Sequence, residues 1–284
     1  MKTVRIIPRI DVKGPNVVKG IHLEGLRVLG SPNSFAKYYY EQGADELIYM
    51  DVVASLYGRN SLLDVVRKTA EDVFIPITVG GGLRSIEDIS DALKSGADKV
   101  SINTAAVSDQ SLISCAANKF GSSTIVVAIE AVKQSNGEYH VFTDNGREQT
   151  GIDVIEWASK VESLGAGEIL LTSVDTEGTG SGADIDLIKS VSREVNIPVI
   201  VHGGIGNIQH VLDVFSSSTD ISAISLASIL HYEAIAHITS DKNENSSEGN
   251  RDFLSSNCTV KNIEACSIKM IKQKLFEYGI EVRM

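Results

Sequence analysis

Short apolar runs punctuate the chain at regular intervals. Residues 5–10, 46–51, 75–79, 98–103, 124–130, 168–173, 198–202 and 222–226 are rich in Val, Ile and Leu and mostly lack in–out alternation. Runs of this kind predict strands buried on both faces, as in a parallel sheet. Between them, apolar residues recur at helical spacing. In SIEDISDALKSGA, Ser85 stands as a cap, Asp88 follows three residues later and Gly96 closes the segment. In DVIEWASKVESLGA, Ile155, Ala158 and Val161 share one stripe that ends at Gly165. Two stretches break the rhythm. Residues 12–33 make a long connection after the first strand, and long loops at strand C-terminal ends usually carry function. Residues 239–260, TSDKNENSSEGNRDFLSSNCTV, are polar and of mixed charge, which predicts a disordered or extended surface insertion. The final SIKMIKQKLFEYGIEV returns to helical periodicity.

The pattern also repeats. GADELIYMDV at 43–52 is answered by GAGEILLTSVD at 165–175, and TVGGG at 78–82 by VHGGIG at 201–206. IIPRIDV carries Asp11 at the end of its run, and IVVAIEA carries Glu130. Matching positions lie about 119 to 124 residues apart, close to half the chain and too long for a solenoid unit. Two similar halves of alternating strand and helix predict an α/β protein. It is one closed (β/α)8 TIM barrel over residues 1–284, because each half alone would leave an open parallel edge. The insertion then falls before the last helix. The strand C-terminal ends carry the chemistry in such a barrel, so the repeat predicts a site with two similar ends and one acid from each half near the middle.

Composition narrows the partners. A net charge of −11 argues against nucleic acid or an acidic membrane, and leaves small anionic ligands open. Cys115, Cys258 and Cys266 show neither metal spacing nor even pairing, which fits a reduced cytoplasm. The start MKTVRIIPRI lacks the apolar core of a signal peptide, and no apolar run reaches membrane-spanning length. The histidines, including His22, His202 and His231, do not cluster as metal ligands, and no serine or cysteine sits in a nucleophile motif. No metal or cofactor is expected.

Gly80-Gly81-Gly82 and Gly203-Gly204 end related strands, as do Asn103-Thr104 and Ala227-Ser228. Small residues let backbone N–H groups approach an anion, and the following helix N-termini add partial positive charge. Tight turns alone would also use glycine. Two repeat-related sets, each with a hydroxyl, point to phosphate at both ends and so to a long, bisphosphorylated ligand. Asp11 and Glu130 end opposed strands, where they either divide general-base and general-acid work or merely cap loops and pair with a lysine such as Lys13. Asp51 and Asp175 read as loop-fixing acids. Lys19 lies in the long loop, either over the ligand or in solvent. At the other strand ends, Arg5, Glu46, Lys99 and Glu168 alternate in sign. Such residues are normally solvated, but they could close a ring across the barrel bottom.

With these residues in view, the chain resembles the HisF family, the cyclase subunits of imidazole glycerol phosphate synthase. DVKGPNVVKG, DELIYMDVVAS, TVGGG, GADKVSINTAA, GAGEILLTSVDTEGT and HGG carry the resemblance, over roughly residues 4–232 and the last twenty. It implies that a HisH-like glutaminase partner passes ammonia through the barrel interior. The barrel then converts a bisphosphorylated aminoimidazole-carboxamide ribonucleotide to imidazole glycerol phosphate, releasing the carboxamide ribotide. It implies Asp11 and the residue at Glu130 as the catalytic acids. Phosphate binding falls to Gly82, Asn103, Thr104, Gly178, Gly204 and Ser228, with Lys19 on a mobile loop. Arg5, Glu46, Lys99 and Glu168 become an ammonia gate, and Asp98 part of the docking face.

The chain also departs from that pattern. Glu130 and Glu177 replace aspartates, Val132 a lysine and His202 a serine, and a cysteine before Asp11 gives way to Pro8-Arg9. At Glu130 the extra methylene moves the carboxyl by more than about 1 Å, enough to matter for rate. The departures concentrate in the second half while the ring is kept. That asymmetry suggests a changed substrate with retained ammonia handling, and the resemblance then implies an alternative function: a HisF-like subunit that channels ammonia for amidation of a surface-polysaccharide sugar.

Overall fold

The computed structural model of the chain describes residues 3–54, 62–217, 221–238 and 262–284. The insertion expected at 239–260 lies outside the described residues. Eight parallel strands form a barrel: β1 (Arg5–Lys13), β4 (Leu47–Asp51), β5 (Ile77–Gly80), β6 (Lys99–Ile102), β7 (Ile125–Lys133), β10 (Glu168–Ser173), β11 (Val199–His202) and β12 (Ile221–Leu226). Pairing runs from β10 through β11, β12, β1, β4, β5 and β6 to β7, and β7 pairs back to β10, so the barrel is closed. These are the eight apolar runs of the sequence.

Helices wrap the outside: α1 (Pro32–Glu41), α2 (Leu63–Asp72), α3 (Ile86–Lys94), α4 (Thr104–Ser108), α5 (Ser111–Phe120), α6 (Val154–Ser163), α7 (Ile185–Glu194), α8 (Ile208–Ser217), α9 (Ser228–His237) and α10 (Ile268–Glu277). Helix α3 starts as its sequence requires: Ser85 Oγ accepts from the Asp88 N–H while the Asp88 carboxylate accepts from the Ser85 N–H. Helix α6 is capped by Asp153, which accepts from the N–H groups of Ile155 and Glu156.

Because side chains alternate along a strand, each strand faces both ways. Ile6, Val79 and Val127 pack toward the helices within the large core. Ile7, Ile48, Val126, Ala128, Leu170, Ile200 and Ala223 form a separate cluster inside the barrel, with Met50 against it. The same inward parity, continued to the strand C-terminal ends, brings Arg9, Asp11, Glu130, Thr172, His202 and Ser225 to the barrel mouth. Continued to the other ends, it brings Arg5, Glu46, Lys99 and Glu168 to the floor.

Two connections differ from expectation. The long stretch after β1 is not a loop but a hairpin, β2 (Asn16–Ile21) and β3 (Glu24–Gly30). A second hairpin, β8 (Tyr139–Thr143) and β9 (Glu148–Asp153), follows β7, so the internal repeat extends to a feature absent from the sequence-based reading. The first turns through His22 and Leu23, both at positive φ (52° and 62°). The second turns through Asp144 and Asn145, also at positive φ. Asp and Asn tolerate that region, whereas for Leu it costs on the order of 1–2 kcal/mol. The tips meet: Asn145 Nδ2 donates to the Leu23 carbonyl at 3.0 Å.

Candidate active site

The floor of the barrel is a closed ring of charge. Arg5 donates to Glu46 at 2.6 Å and to Glu168, and Lys99 donates to both Glu46 and Glu168 at 3.0 Å. Ser222 Oγ accepts a further bond from Arg5 at 3.1 Å. Each carboxylate therefore bridges both cations, and Glu46 and Glu168 are buried. Burial disfavours the Arg5 charge, but Glu168 and Glu46 outweigh it and hold its pKa above the usual value. The ordinary reading of such residues as separately solvated does not apply. Asp98 lies beside this floor, exposed, with its carboxylate accepting from the Ile77 N–H at 2.9 Å.

At the mouth, Asp11 neither caps a loop nor pairs with Lys13. Its partner is Arg9, whose Nε is 2.7 Å from Asp11 Oδ1, with both side chains buried. Arg9 Nη1 lies 3.5 Å from Thr172 Oγ1 on β10. Strands β1 and β10 are separated by β11 and β12, so the guanidinium spans the lumen beneath the mouth. Glu130 stands at the end of β7 and accepts from the Gly146 N–H at 2.7 Å. Burial pushes its pKa up to about 7, against the opposing pull of Arg9, the Gly146 N–H and Asn103. A carboxyl near pH 7 can hold a proton and give it up, as a general acid or base must.

The two expected phosphate cradles differ. Gly82, Asn103 and Thr104 line a cavity of about 290 Å³ together with Asp51, Arg84, Glu130, Asp144 and Asn145. Gly81 and Gly82 turn the chain at positive φ (94° and 72°). Thr104 Oγ1 accepts from the Asp144 N–H at 3.1 Å, which leaves its own proton to donate. In the other half, Gly178, Gly204 and Ser228 are buried. There the segment 262–266 runs across the turns: Glu264 N–H donates to the Gly206 carbonyl at 2.7 Å and Cys266 N–H to the Ile229 carbonyl at 3.1 Å. A Cβ on Gly180 would lie 2.5 Å from the Asn262 carbonyl, so only glycine admits that segment. Asp11 and the second cradle do not line the first cavity. Among the described residues, the two ends expected to be alike differ: one borders a cavity and the other is covered.

Lys19 is also not where a solvated or freely swinging lysine would be. It is buried, 2.5 Å from Glu177 Oε1 and 2.7 Å from the Gly20 carbonyl. The same carboxylate accepts from the Leu23 N–H at 3.1 Å, and the Glu177 carbonyl accepts from the His22 N–H at 2.9 Å. Glu177 thereby fastens the strained tip of the first hairpin over the second half. Gly178 makes this approach possible, since a Cβ there would sit 2.6 Å from the Gly20 carbonyl. Asp51 and Asp175 fix loops as expected, accepting from the N–H groups of Val53 and Lys133.

Comparison with known sequences adds the family. The model of the family described as histidine biosynthesis protein matches residues 5–236. The chain belongs to this family. It is 60% identical over 209 residues to the imidazole glycerol phosphate synthase subunit HisF of Legionella pneumophila, covering 74% of this chain and 99% of that protein. It is 47% identical over 236 residues to the subunit of the same name from Alkaliphilus metalliredigens (strain QYMF), covering 83% and 93%. Within this family, the name of both relatives denotes one subunit of a synthase.

Several residues at the mouth escape the sequence-based reading. Arg9 had a signal: an arginine at inward parity in a buried apolar strand needs a charged partner, and Asp11 stands two residues on. Asp144-Asn145-Gly146 is itself a turn signal that marks the second hairpin. Nothing in the sequence pointed to residues 262–266 as a cover. Among the described residues no helix is long and apolar enough to cross a membrane, and no group of three His, Cys, Asp or Glu is placed to hold a metal ion.

Proposed function

We propose that this chain is the cyclase subunit of an imidazole glycerol phosphate synthase. It takes ammonia and a bisphosphorylated aminoimidazole-carboxamide ribonucleotide to imidazole glycerol phosphate and the carboxamide ribotide. The observation that carries this reading is the pairing of two features on one lumen: acids at the mouth and a bridged ring of four charges on the floor. A bridged charged ring closes the floor to large molecules from below. It suits a small uncharged molecule entering from a glutaminase seated on the floor near Asp98. Asp11, positioned by Arg9, is the proton acceptor, and Glu130, with a pKa of about 7, is the donor. Gly82, Asn103 and Thr104 hold one phosphate. Gly178, Gly204 and Ser228, with Lys19, hold the other once the first hairpin and segment 262–266 make way. The whole chain works as one barrel in the cytoplasm, with the glutaminase as its heterodimer partner.

The test is ammonia-dependent consumption of the bisphosphorylated ribonucleotide by the purified chain, with rescue of a histidine auxotroph lacking its own cyclase. Robust turnover and rescue are expected. No turnover with either free ammonium or a glutaminase would sink the reading. One observation favours a second function: the second cradle is covered and its lysine neutralised while the ring is complete. That is what a conduit subunit for amidation of another substrate, such as a surface-polysaccharide sugar, would retain. It predicts stimulation of the glutaminase without any cyclisation.

A further inference from the structure

His202 ends β11 on the inner face of the barrel, two residues beyond Ile200 of the interior cluster. It is 4% exposed. Its Nδ1 lies 3.0 Å from the Ser225 backbone carbonyl. A carbonyl only accepts, so Nδ1 carries the hydrogen and Nε2 is left as a bare lone pair. That Nε2 is buried and has no hydrogen-bond partner among the described residues. Ser225 is the register neighbour of His202 on β12, faces the same interior, and its Oγ is likewise buried and unpartnered. A buried polar atom without a partner is costly, by about 1–3 kcal/mol, and two such atoms on neighbouring strands of the lumen suit a small polar guest.

We propose that His202 Nε2 and Ser225 Oγ form a binding site for ammonia near the top of the lumen, a last resting place before the mouth acids. The proposal rests on the ammonia-using reading above. Ammonia has N–H groups for both acceptors, and this arrangement leaves its lone pair free to attack. The imidazole does not take a proton from its guest. Burial first, then the neighbouring Arg9 charge, press its pKa down to about 3. A serine, which the resemblance gives as the usual residue here, would offer its acceptor on a shorter, freely rotating hydroxyl.

The test uses the full chain labelled with ¹⁵N-histidine, titrated with ammonium chloride above the pKa of ammonium, against sodium chloride at equal ionic strength. One imidazole Nε2 resonance should move saturably with ammonia alone, and that signal should be missing in His202→Leu and His202→Asn. Asn keeps a donor for the Ser225 carbonyl and so guards against misfolding, but it places no lone pair at the Nε2 position. In turnover, both variants should raise KM for ammonium about fivefold, the factor one neutral hydrogen bond carries, with a smaller change in kcat. An Nε2 resonance indifferent to ammonia, or an unchanged KM in both variants, would overturn the site. If the cyclase reading is wrong, wild-type turnover is absent while the resonance still reports on binding, so the two failures are distinguishable.

Discussion

The two halves of the barrel carry the same glycine turns, yet one is open and the other is shut. The first-half turn at Gly82 with Asn103 and Thr104 borders a cavity, whereas Gly178, Gly204 and Ser228 are buried. Each half also has a hairpin after its first strand, and each hairpin is held by a glutamate where the resemblance implies aspartate. Glu130 reaches the Gly146 N–H of the second hairpin with a single bond. Glu177 reaches the first hairpin with a bond to the Leu23 N–H and a buried ion pair to Lys19. The difference teaches that the backbone turn alone does not decide access. The closed end has both a Glu177–Lys19 pair and segment 262–266 above it, whereas a single hairpin amide ties Glu130 at the other. A single amide bond is worth about 1 kcal/mol, while a buried pair resists being parted by several.

The largest expected effect asks whether the halves share one reaction despite this difference. Asp11→Asn keeps the shape of the side chain but removes both its role as proton acceptor and the countercharge of Arg9. Ammonia-dependent turnover should fall by about 10²–10⁴, the usual contribution of a positioned acid or base, while affinity for a phosphorylated ligand stays within a few fold. Steady-state rates and ligand titration decide it. Turnover like that of the wild type would remove Asp11 from the mechanism and leave the first half a binding site only.

Next in size is the latch itself. Glu177→Gln can still accept from Lys19 but removes its countercharge, leaving a buried ammonium unneutralised. Parting such a pair costs about 3–5 kcal/mol, and the hairpin can escape this by lifting into water. Hydrogen exchange of the amides between residues 16 and 30 should therefore speed up by about a hundredfold or more. Lys19→Met in the same chain should restore most of the protection, because no unpaired charge is left. Exchange that is indifferent to Glu177→Gln would mean that packing, not the carboxylate, shuts the second half.

How far the sequence foretold this contrast depends on the length scale. The eight strands were legible because burial on both faces leaves an unbroken Val/Ile/Leu signature, and Ser85 with Asp88 announced its helix because the capping box is local. The ring of Arg5, Glu46, Lys99 and Glu168 was legible as a candidate because strand starts repeat. The covered second half was not. It depends on Glu177 meeting Lys19, 158 positions away in sequence, and on Asn262 and Glu264 crossing turns at Gly180 and Gly206. No periodicity records a tertiary contact of that kind. The first hairpin was hidden for another reason: His22-Leu23 is a poor turn sequence, tolerated because Glu177 holds it.

A third prediction uses pH to separate the halves. Glu130 titrates near 7 in the folded chain and near 4.5 when unfolded. Between those values the folded state binds the extra proton, so this group's contribution to stability falls as pH rises and is lowest above about pH 7. Glu130→Gln, which still accepts from Gly146, should abolish that decline and stabilise the protein at alkaline pH by up to about 3 kcal/mol. Below pH 4.5 the two proteins should be alike. Denaturant midpoints across this range measure it. A gain that grows toward acid would reverse the sign and show that Glu130 is held ionised.

The smallest effect tests whether the extra methylene of Glu130 is a defect or a tether. If it is a defect, Glu130→Asp restores the reach of the family aspartate and turnover rises. The geometry argues otherwise. Glu130 Oε2 is 2.7 Å from the Gly146 nitrogen, and removing one methylene draws the carboxyl back beyond hydrogen-bond range. The Gly146 N–H then loses its partner, at about 1 kcal/mol for a site next to an open cavity. Gly146 also packs toward Leu23 and Val174, so its release loosens the meeting point of the two hairpin tips. Exchange at Gly146 should rise about fivefold, far less than across the first hairpin in Glu177→Gln, and turnover should fall modestly. Increased turnover with unchanged exchange would show that the first half is open by default and that its glutamate tethers nothing.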